Sequence, residues 1–228
     1  MISNQKNEMT SNEKNDFLDH LEQQPALGAN DFARLRILAK DSDSYIRGRL
    51  PFVLMNAVTE ESLSLLMTLA ADPDPLVRTE AYDSMSEFPF QQAVDLLYEA
   101  ATKDPDSLAR SYAIISWAEL TRWLNQLTAD IIECADNQKN CEKSKRCLLS
   151  WIYALSLFKS HGITELLTFL KDKEDHLRRT ALSYLSDLLD ESNCEEIGQG
   201  VRALLEEETV LPVRTQGEKL LQSIQQLR

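Results

Sequence analysis

The stretch 72-DPDPLVRTEA-81 packs two aspartates, two prolines, an arginine and a small residue into ten positions. Taken alone it fits a phosphate grip, a catalytic acid pair or a structural part. Recurrence decides among them. Measured from Arg78, Asp72 lies at −6, Asp74 at −4, Val77 at −1, Ala81 at +3 and Met85 at +7. The same offsets from Arg110 give Asp104, Asp106, Ala109, Ala113 and Trp117. From Arg47 they give Asp41, Asp43, Ile46, Leu50 and Leu54. From Arg178 they give Asp172, Glu174, Leu177, Ala181 and Leu185. Two worn copies surround Arg146 (Asn140, Glu142, Lys145, Leu149, Tyr153) and Arg214 (Glu208, Val210, Val213, Gly217, Leu221). Successive arginines are 31, 32, 36, 32 and 36 residues apart. A period in this range marks a stacked-repeat architecture.

Each position has a physical reading. Asp74 and Asp106 suit helix N-caps, because a short carboxylate accepts the free N–H groups of the first turn. Pro75 follows at the first helical position, where its missing N–H costs nothing. The apolar residues at −1, +3 and +7 recur every four and lie on one helical face. The small residue at +3 admits a neighbouring helix. The arginine is expected to pair with an acid of its own or the adjacent repeat, so that Asp41, Arg47, Asp72, Arg78, Asp104, Arg110, Asp172 and Arg178 form a ladder. A second apolar-periodic segment follows each motif, as in 60-EESLSLLMTLAA-71, 91-QQAVDLLYEAA-101 and 194-CEEIGQGVRALLEEE-208. Each unit is therefore a helical hairpin.

The pattern D-x-D-x-x-V-R-x-x-A resembles HEAT repeats, especially the short HEAT-like type first noted in phycobilisome lyases. The resemblance covers roughly residues 28–228. It implies an all-α fold, a right-handed α-solenoid of about six HEAT-like helical hairpins. Units are expected near 41–71, 72–102, 104–137, 140–171 and 172–207, with a C-terminal cap at 208–228. Residues 13–228 read as one repeat domain. The segments 13-EKNDFLDHLEQ-23 and 30-NDFARLRILAK-40 form a degenerate first hairpin, and residues 1–12 are expected to be disordered. Pro51 inside the first helix of the Arg47 unit should kink it. The longer spacing before Arg146 places an insertion around 118-AELTRWLNQL-127.

Gly and Pro number only 6 and 7 in 228 residues, and no Val/Ile/Thr alternation indicates a strand. The formal net charge is −13. Proteins that live on nucleic acid backbone are normally basic, so nucleic acid is an unfavoured partner and a basic protein a favoured one. Cys134, Cys141, Cys147 and Cys194 form no CxxC pair, which argues against zinc. The start, MISNQKNEMTSNEKND, has no apolar stretch for secretion, and 148-LLSWIYALSLF-158 is too short to span a bilayer. The expectation is a reduced, cytoplasmic protein that touches no membrane.

Motifs for chemistry do not stand out. The three histidines, His20, His161 and His176, fall near a terminus or at helix ends, and no HExxH, GxSxG or Walker loop occurs. No catalytic residue, metal, cofactor or small-molecule substrate is expected. Fold does not carry function, and no residue pattern marks a bilin-handling pocket. HEAT-like repeats are also similar to a family that removes alkylated bases from DNA through a basic, aromatic concave groove. Here the second helices, which line the concave side in such folds, carry Glu60, Glu61, Asp95, Glu99, Asp130, Glu133, Glu165, Glu195 and Glu196. That groove should repel phosphate. The basic cluster Lys139, Lys143, Lys145 and Arg146 is short, and Arg146 is expected in the ladder. Trp117 and Tyr153 occupy the +7 core position. Trp123, beside Arg122 in the insertion, is the aromatic expected at a surface. The reading is a non-enzymatic protein-binding module whose acidic face, through Asp95, Glu99, Asp130 and Glu133 with Trp123 as anchor, holds a basic partner. An immunity-type inhibitor of a basic bacterial toxin is the narrower form. A DNA-repair glycosylase and a scaffold or assembly factor are the alternatives.

Overall fold

The aspartate at −4 caps the first helix in the Arg47, Arg78 and Arg110 units, whereas Glu174 at −4 in the Arg178 unit makes no side-chain cap bond. In the computed structural model, which describes residues 9–159 and 162–227, the first hairpin is α1 (Ser11–Glu22) and α2 (Ala29–Leu38). Next come α3 (Ser44–Leu54) with α4 (Glu60–Leu69), and α5 (Pro75–Met85) with α6 (Gln91–Lys103). α7 (Ser107–Trp123) precedes α8 (Ala129–Cys141). α9 (Lys145–Lys159) pairs with α10 (Ile163–Thr168), which tightens into a 3₁₀ turn over Phe169–Lys171. α11 (Asp175–Asp187), α12 (Cys194–Glu207) and a last helix, α13 (Leu211–Gln226), complete the chain. Among the described residues there are thirteen α-helices and no strand. The fold is an all-helical repeat solenoid. It divides into two compact units, 1–116 and 117–228.

The motif acids divide two jobs between them. Asp74 caps α5 by accepting from the Leu76 N–H at 2.9 Å, with Pro75 at the first helical position. Asp106 accepts from Leu108 N at 2.8 Å and Ala109 N at 3.0 Å. The acid at −6 instead receives the arginine of the preceding repeat. Arg47 donates to both Asp72 oxygens (Nε 2.6 Å, Nη2 2.8 Å), and Arg78 to both Asp104 oxygens, each at 2.8 Å. Arg178 grips Glu208 the same way at 2.6 and 3.0 Å. The remaining guanidinium nitrogen turns back to the −6 carbonyl of its own repeat: Arg47 to Asp41 O, Arg78 to Asp72 O, Arg110 to Asp104 O and Arg178 to Asp172 O, at 2.6–2.9 Å. The same carboxylate also accepts its own −4 N–H, as Asp72 does from Asp74 and Asp104 from Asp106. One guanidinium thus ties two consecutive interhelical loops, in the fork geometry that makes arginine–carboxylate pairs specific.

The ladder is capped by lysines where the motif is worn. Lys14 of α1 reaches Asp41 at 2.6 Å. Asp172 is held by Lys145 at 2.7 Å, and Arg146 forms no ion pair with any described residue. The expected place of Arg146 in the ladder is therefore corrected: with the register of this unit worn, the neighbouring lysine supplies the cation.

The core lies on the −1, +3 and +7 positions. Ile46, Val77, Leu177 and Val213 are fully buried, as are Ala81, Ala113 and Ala181. Burying each large side chain contributes about 1.5–3 kcal/mol. Leu50 and Leu149 fill +3 in their units, but at Gly217 the position must stay small: a Cβ there would sit 3.1 Å from Leu205 Cδ2.

Two local expectations change, at the N-terminus and at the insertion. α1 begins at Ser11, because Thr10 and Glu13 close a capping box, so order starts inside the segment expected to be disordered. Residues 1–8 of that segment lie outside the described residues, as does His161. Pro51, where a kink is expected, lies inside one helix that runs from Ser44 to Leu54 around the buried proline. The expected insertion is a longer α7 of 17 residues, closed by a left-handed turn at Asn125 (φ 58°). Gln126 N bonds to Thr121 O at 3.0 Å and Asn125 N to Arg122 O at 3.0 Å, the paired bonds of a Schellman ending.

Gly48 stands mid-helix in α3, where a Cβ would meet Val77 Cγ2 at 3.8 Å, an ordinary contact distance. Gly48→Ala should therefore stabilise the fold by about 0.5–1 kcal/mol through unfolded-chain entropy. Urea unfolding checks it; an unchanged or lower midpoint refutes it.

Candidate functional site

The second helix of each hairpin keeps one face in the core and turns the other to solvent. In the first unit α6 buries Ala93, Val94, Leu97, Ala100 and Ala101, which leaves Asp95 and Glu99 exposed one turn apart. Asp95 accepts from Gln91 Nε2 at 2.8 Å, and Glu99 pairs with Lys103 at 3.1 Å. In the second unit Asp130 and Glu133 lie one turn apart on the exposed face of α8 and make no ion pair with any described residue. Asp130 is in the first turn of a helix capped by Thr128, where its charge suits the helix dipole.

Several other carboxylates of the second helices carry their own cations. Glu61 pairs with Arg36, Glu165 with Lys139 at 3.1 Å, and Glu195 with Arg202 at 3.5 Å. Sequence reading missed these pairs, because the partners Arg36–Glu61 and Lys139–Glu165 lie a full repeat apart and only stacking brings them together. They are exposed pairs and each contributes little stability. Their effect is on the surface charge: among these second-helix acids, Glu60 and Asp95 in the first unit and Asp130, Glu133 and Glu196 in the second make no ion pair with any described residue. Lys139 is spoken for by Glu165 and Lys145 by Asp172, which removes half of the one basic cluster.

The aromatic residues separate by burial. Trp117 and Tyr153 are buried at +7, and Trp151 is buried beside them, edge-on to Trp117 at 5.7 Å between ring centroids. Trp123 is 58% exposed at the end of α7. It does not share a helix with Asp130 and Glu133. It lines a cleft in the second unit with Glu119, Arg122, Tyr153, Leu157 and Asp187, built from the C-terminal halves of the first helices α7, α9 and α11. None of the four cysteines forms a disulfide among the described residues.

Residues 33–118 match the family model for HEAT repeats. The fold is that of a HEAT-repeat α-solenoid. Two solved structures share it along most of the chain. The X-ray structure of YibA of Escherichia coli is 18% identical, covering 96% of this chain and 80% of YibA with a TM-score of 0.59. The complex of CpcE and CpcF of phycocyanin lyase from a Nostoc species is 14% identical, covering 98% of each chain with a TM-score of 0.56. At these identities the likeness is one of fold. No curated protein matches the sequence significantly. Among the described residues no helix is long and apolar enough to cross a membrane.

Proposed function

We propose that this HEAT-repeat protein is a non-enzymatic cytoplasmic binding module that holds a basic protein through the exposed faces of its second helices. The observation that carries the reading is the pair Asp130 and Glu133, exposed and with no ion pair to any described residue, supported by Asp95 on α6. A partner supplying lysines or arginines gains Coulomb energy there without displacing an internal ion pair. Association of this kind is steered and salt-sensitive. The net charge of −13 favours the same class of partner and disfavours duplex DNA. The narrower form is an immunity-type inhibitor that covers the nucleic-acid face of a basic toxin by mimicking its charge.

The test is affinity capture from nuclease-treated native cytosol at low and moderate salt, followed by affinity measurement on the recovered partner. Changing Asp95, Glu99, Asp130 and Glu133 together to lysine should weaken binding at least about a hundredfold, as several rim and central charges reverse at once. Unchanged affinity removes this face from the function. Salt-dependent binding of duplex DNA by the wild-type protein, with no protein captured, would favour the repair reading instead.

A further inference from the structure

The first helices of the first compact unit turn a face of their own to solvent, and one position on it changes sign between repeats. At +2 from the ladder arginine, the Arg47 repeat carries Arg49 and the Arg78 repeat carries Glu80. Arg49 turns to α1, where it pairs with Asp19 at 2.6 Å and with Glu22. Glu80, at the equivalent place on α5, makes no ion pair with any described residue. Nor do Asp83 and Glu87, three and seven residues further on. All three side chains are exposed. The helical rise spaces them about 4.5 and 6 Å apart along the axis, close enough for like charges to repel.

The end of α5 also lacks the charge that its dipole favours. Asp83 sits in the last turn and Glu87 just beyond it, at the negative end of the helix, and no basic residue lies in that turn. Partial desolvation by neighbouring groups raises Glu80 and Asp83. The next carboxylate of the row raises each further, Asp83 acting on Glu80 and Glu87 on Asp83. An exposed ring accompanies the row. α3 packs along α5, near enough that a Cβ on Gly48 would meet Val77 Cγ2 at 3.8 Å. Phe52 lies one turn further along α3, at the same +5 offset as Asp83, and is 57% exposed. The face therefore combines an apolar ring with a row of carboxylates at helical spacing that has no cations. An incoming helix matches that row, since its own side chains three and four residues apart repeat at the same rise.

We infer that this face receives a cationic amphipathic helix of the protein partner, laid along α5 with lysines or arginines on Glu80, Asp83 and Glu87 and an apolar side chain on Phe52. The inference rests on the protein-binding reading and adds a contact on first helices, through residues other than those of α6 and α8. Binding supplies the missing counter-ions and relieves the repulsion within the row.

The probe is a fluorescein-labelled, alanine-rich helical peptide of about twenty residues. It carries lysines at i, i+3 and i+7 and a leucine beside them. A control peptide has the same composition and charge, with the lysines spread around the helix. Fluorescence anisotropy with the full chain should show the patterned peptide binding at least about tenfold more tightly than the control. Glu80→Gln, Asp83→Asn and Glu87→Gln together should abolish that preference, with the melting temperature unchanged or raised because like charges are removed. Phe52→Ala should weaken the patterned peptide by about fivefold. Amide substitutions at Asp95, Asp130 and Glu133 should leave the preference in place. Equal binding of the two peptides, or a preference that survives the triple substitution, overturns the inference. If a basic partner is captured and binds the triple variant as it binds wild type, this face falls and the binding-module reading stands. If wild type selects the patterned peptide but no basic protein is captured, the face stands and the reading through α6 and α8 falls.

Discussion

Asp104→Ala is expected to lower the unfolding free energy by about 3–5 kcal/mol, the cost of removing one partner from a buried ion pair. The Asp104 side chain is 2% exposed and that of Arg78 is 12% exposed. One carboxylate serves four donors: two nitrogens of Arg78, the Asp106 N–H and the Tyr82 hydroxyl at 2.9 Å. Alanine leaves the guanidinium without its counter-charge and the tyrosine without this acceptor. Urea unfolding should show a lower midpoint. Asp104→Asn should fall between wild type and alanine, because an amide accepts hydrogen bonds without carrying charge. A loss below about 1 kcal/mol for alanine would place the pair among the surface salt bridges and remove the ladder as a stability determinant.

The same chemistry sets an acid limb. Burial alone pushes the Asp104 carboxyl up, but Arg78, the Asp106 N–H and Tyr82 outweigh it and hold it below its usual range. Asp72 is lowered by Arg47 and Glu208 by Arg178. A carboxylate whose folded pKa is depressed stabilises the fold above its unfolded value, near about 4, and loses that stabilisation as pH falls through the folded value. Glu80, Asp83 and Asp187 have the opposite sign, since partial desolvation by their neighbours raises each of them although all three stay exposed at the surface. Their protonation relieves the fold as pH falls from neutral toward about 4. Stability should therefore rise slightly on mild acidification and collapse below about pH 4, with the collapse shallower in Asp104→Ala. Thermal melts from pH 7 to pH 3 read both limbs; a monotonic fall from pH 7 contradicts the assignment.

Trp151→Ala should cost about 3–5 kcal/mol by loss of transfer energy and by the cavity left behind. The ring is 1% exposed and meets Trp117 edge-on, and Trp117 in turn meets Phe158 at 5.6 Å, so three rings of the second unit lean on one another. The neighbours cannot collapse into the space without leaving that geometry. Trp151→Phe keeps the packing in part and should cost less than half as much. Calorimetry and near-ultraviolet circular dichroism would check both variants. A wild-type melting temperature for the alanine variant would mean that the ring is not part of the core.

The repeat, and with it the helical fold, was legible because each of its rules is local. A cap acid, a proline at the first turn and apolar residues four apart act within one helix, so they survive as a one-dimensional pattern. Six arginines in register then specified stacking. The partner of each arginine was not legible to the same degree. Asp72 for Arg47 and Asp104 for Arg78 lie 25 and 26 residues ahead, and one loop carries an acid at −6 and another at −4. Only the stack decides that the first pairs across and the second caps. Lys145 standing in for Arg146 is the case where pattern and space disagree: the motif keeps the letter, and the neighbouring side chain reaches the acid.

The candidate surface divides along the same line. That Asp95, Glu99, Asp130 and Glu133 are exposed follows from helical periodicity, because the opposite face is apolar. Which carboxylates keep an unbalanced charge does not, since Arg36 and Lys139 neutralise acids of the next repeat. The exposure of Trp123 was legible from its place beside the repeat rather than in it. The cleft around it was not, for Glu119, Tyr153 and Asp187 come from three different repeats. Sequence alone determined what every residue could do within its own helix. Tertiary structure decided which charges met and which stayed open, because Coulomb energy depends on distance through space and a solenoid brings together residues about thirty apart in the chain.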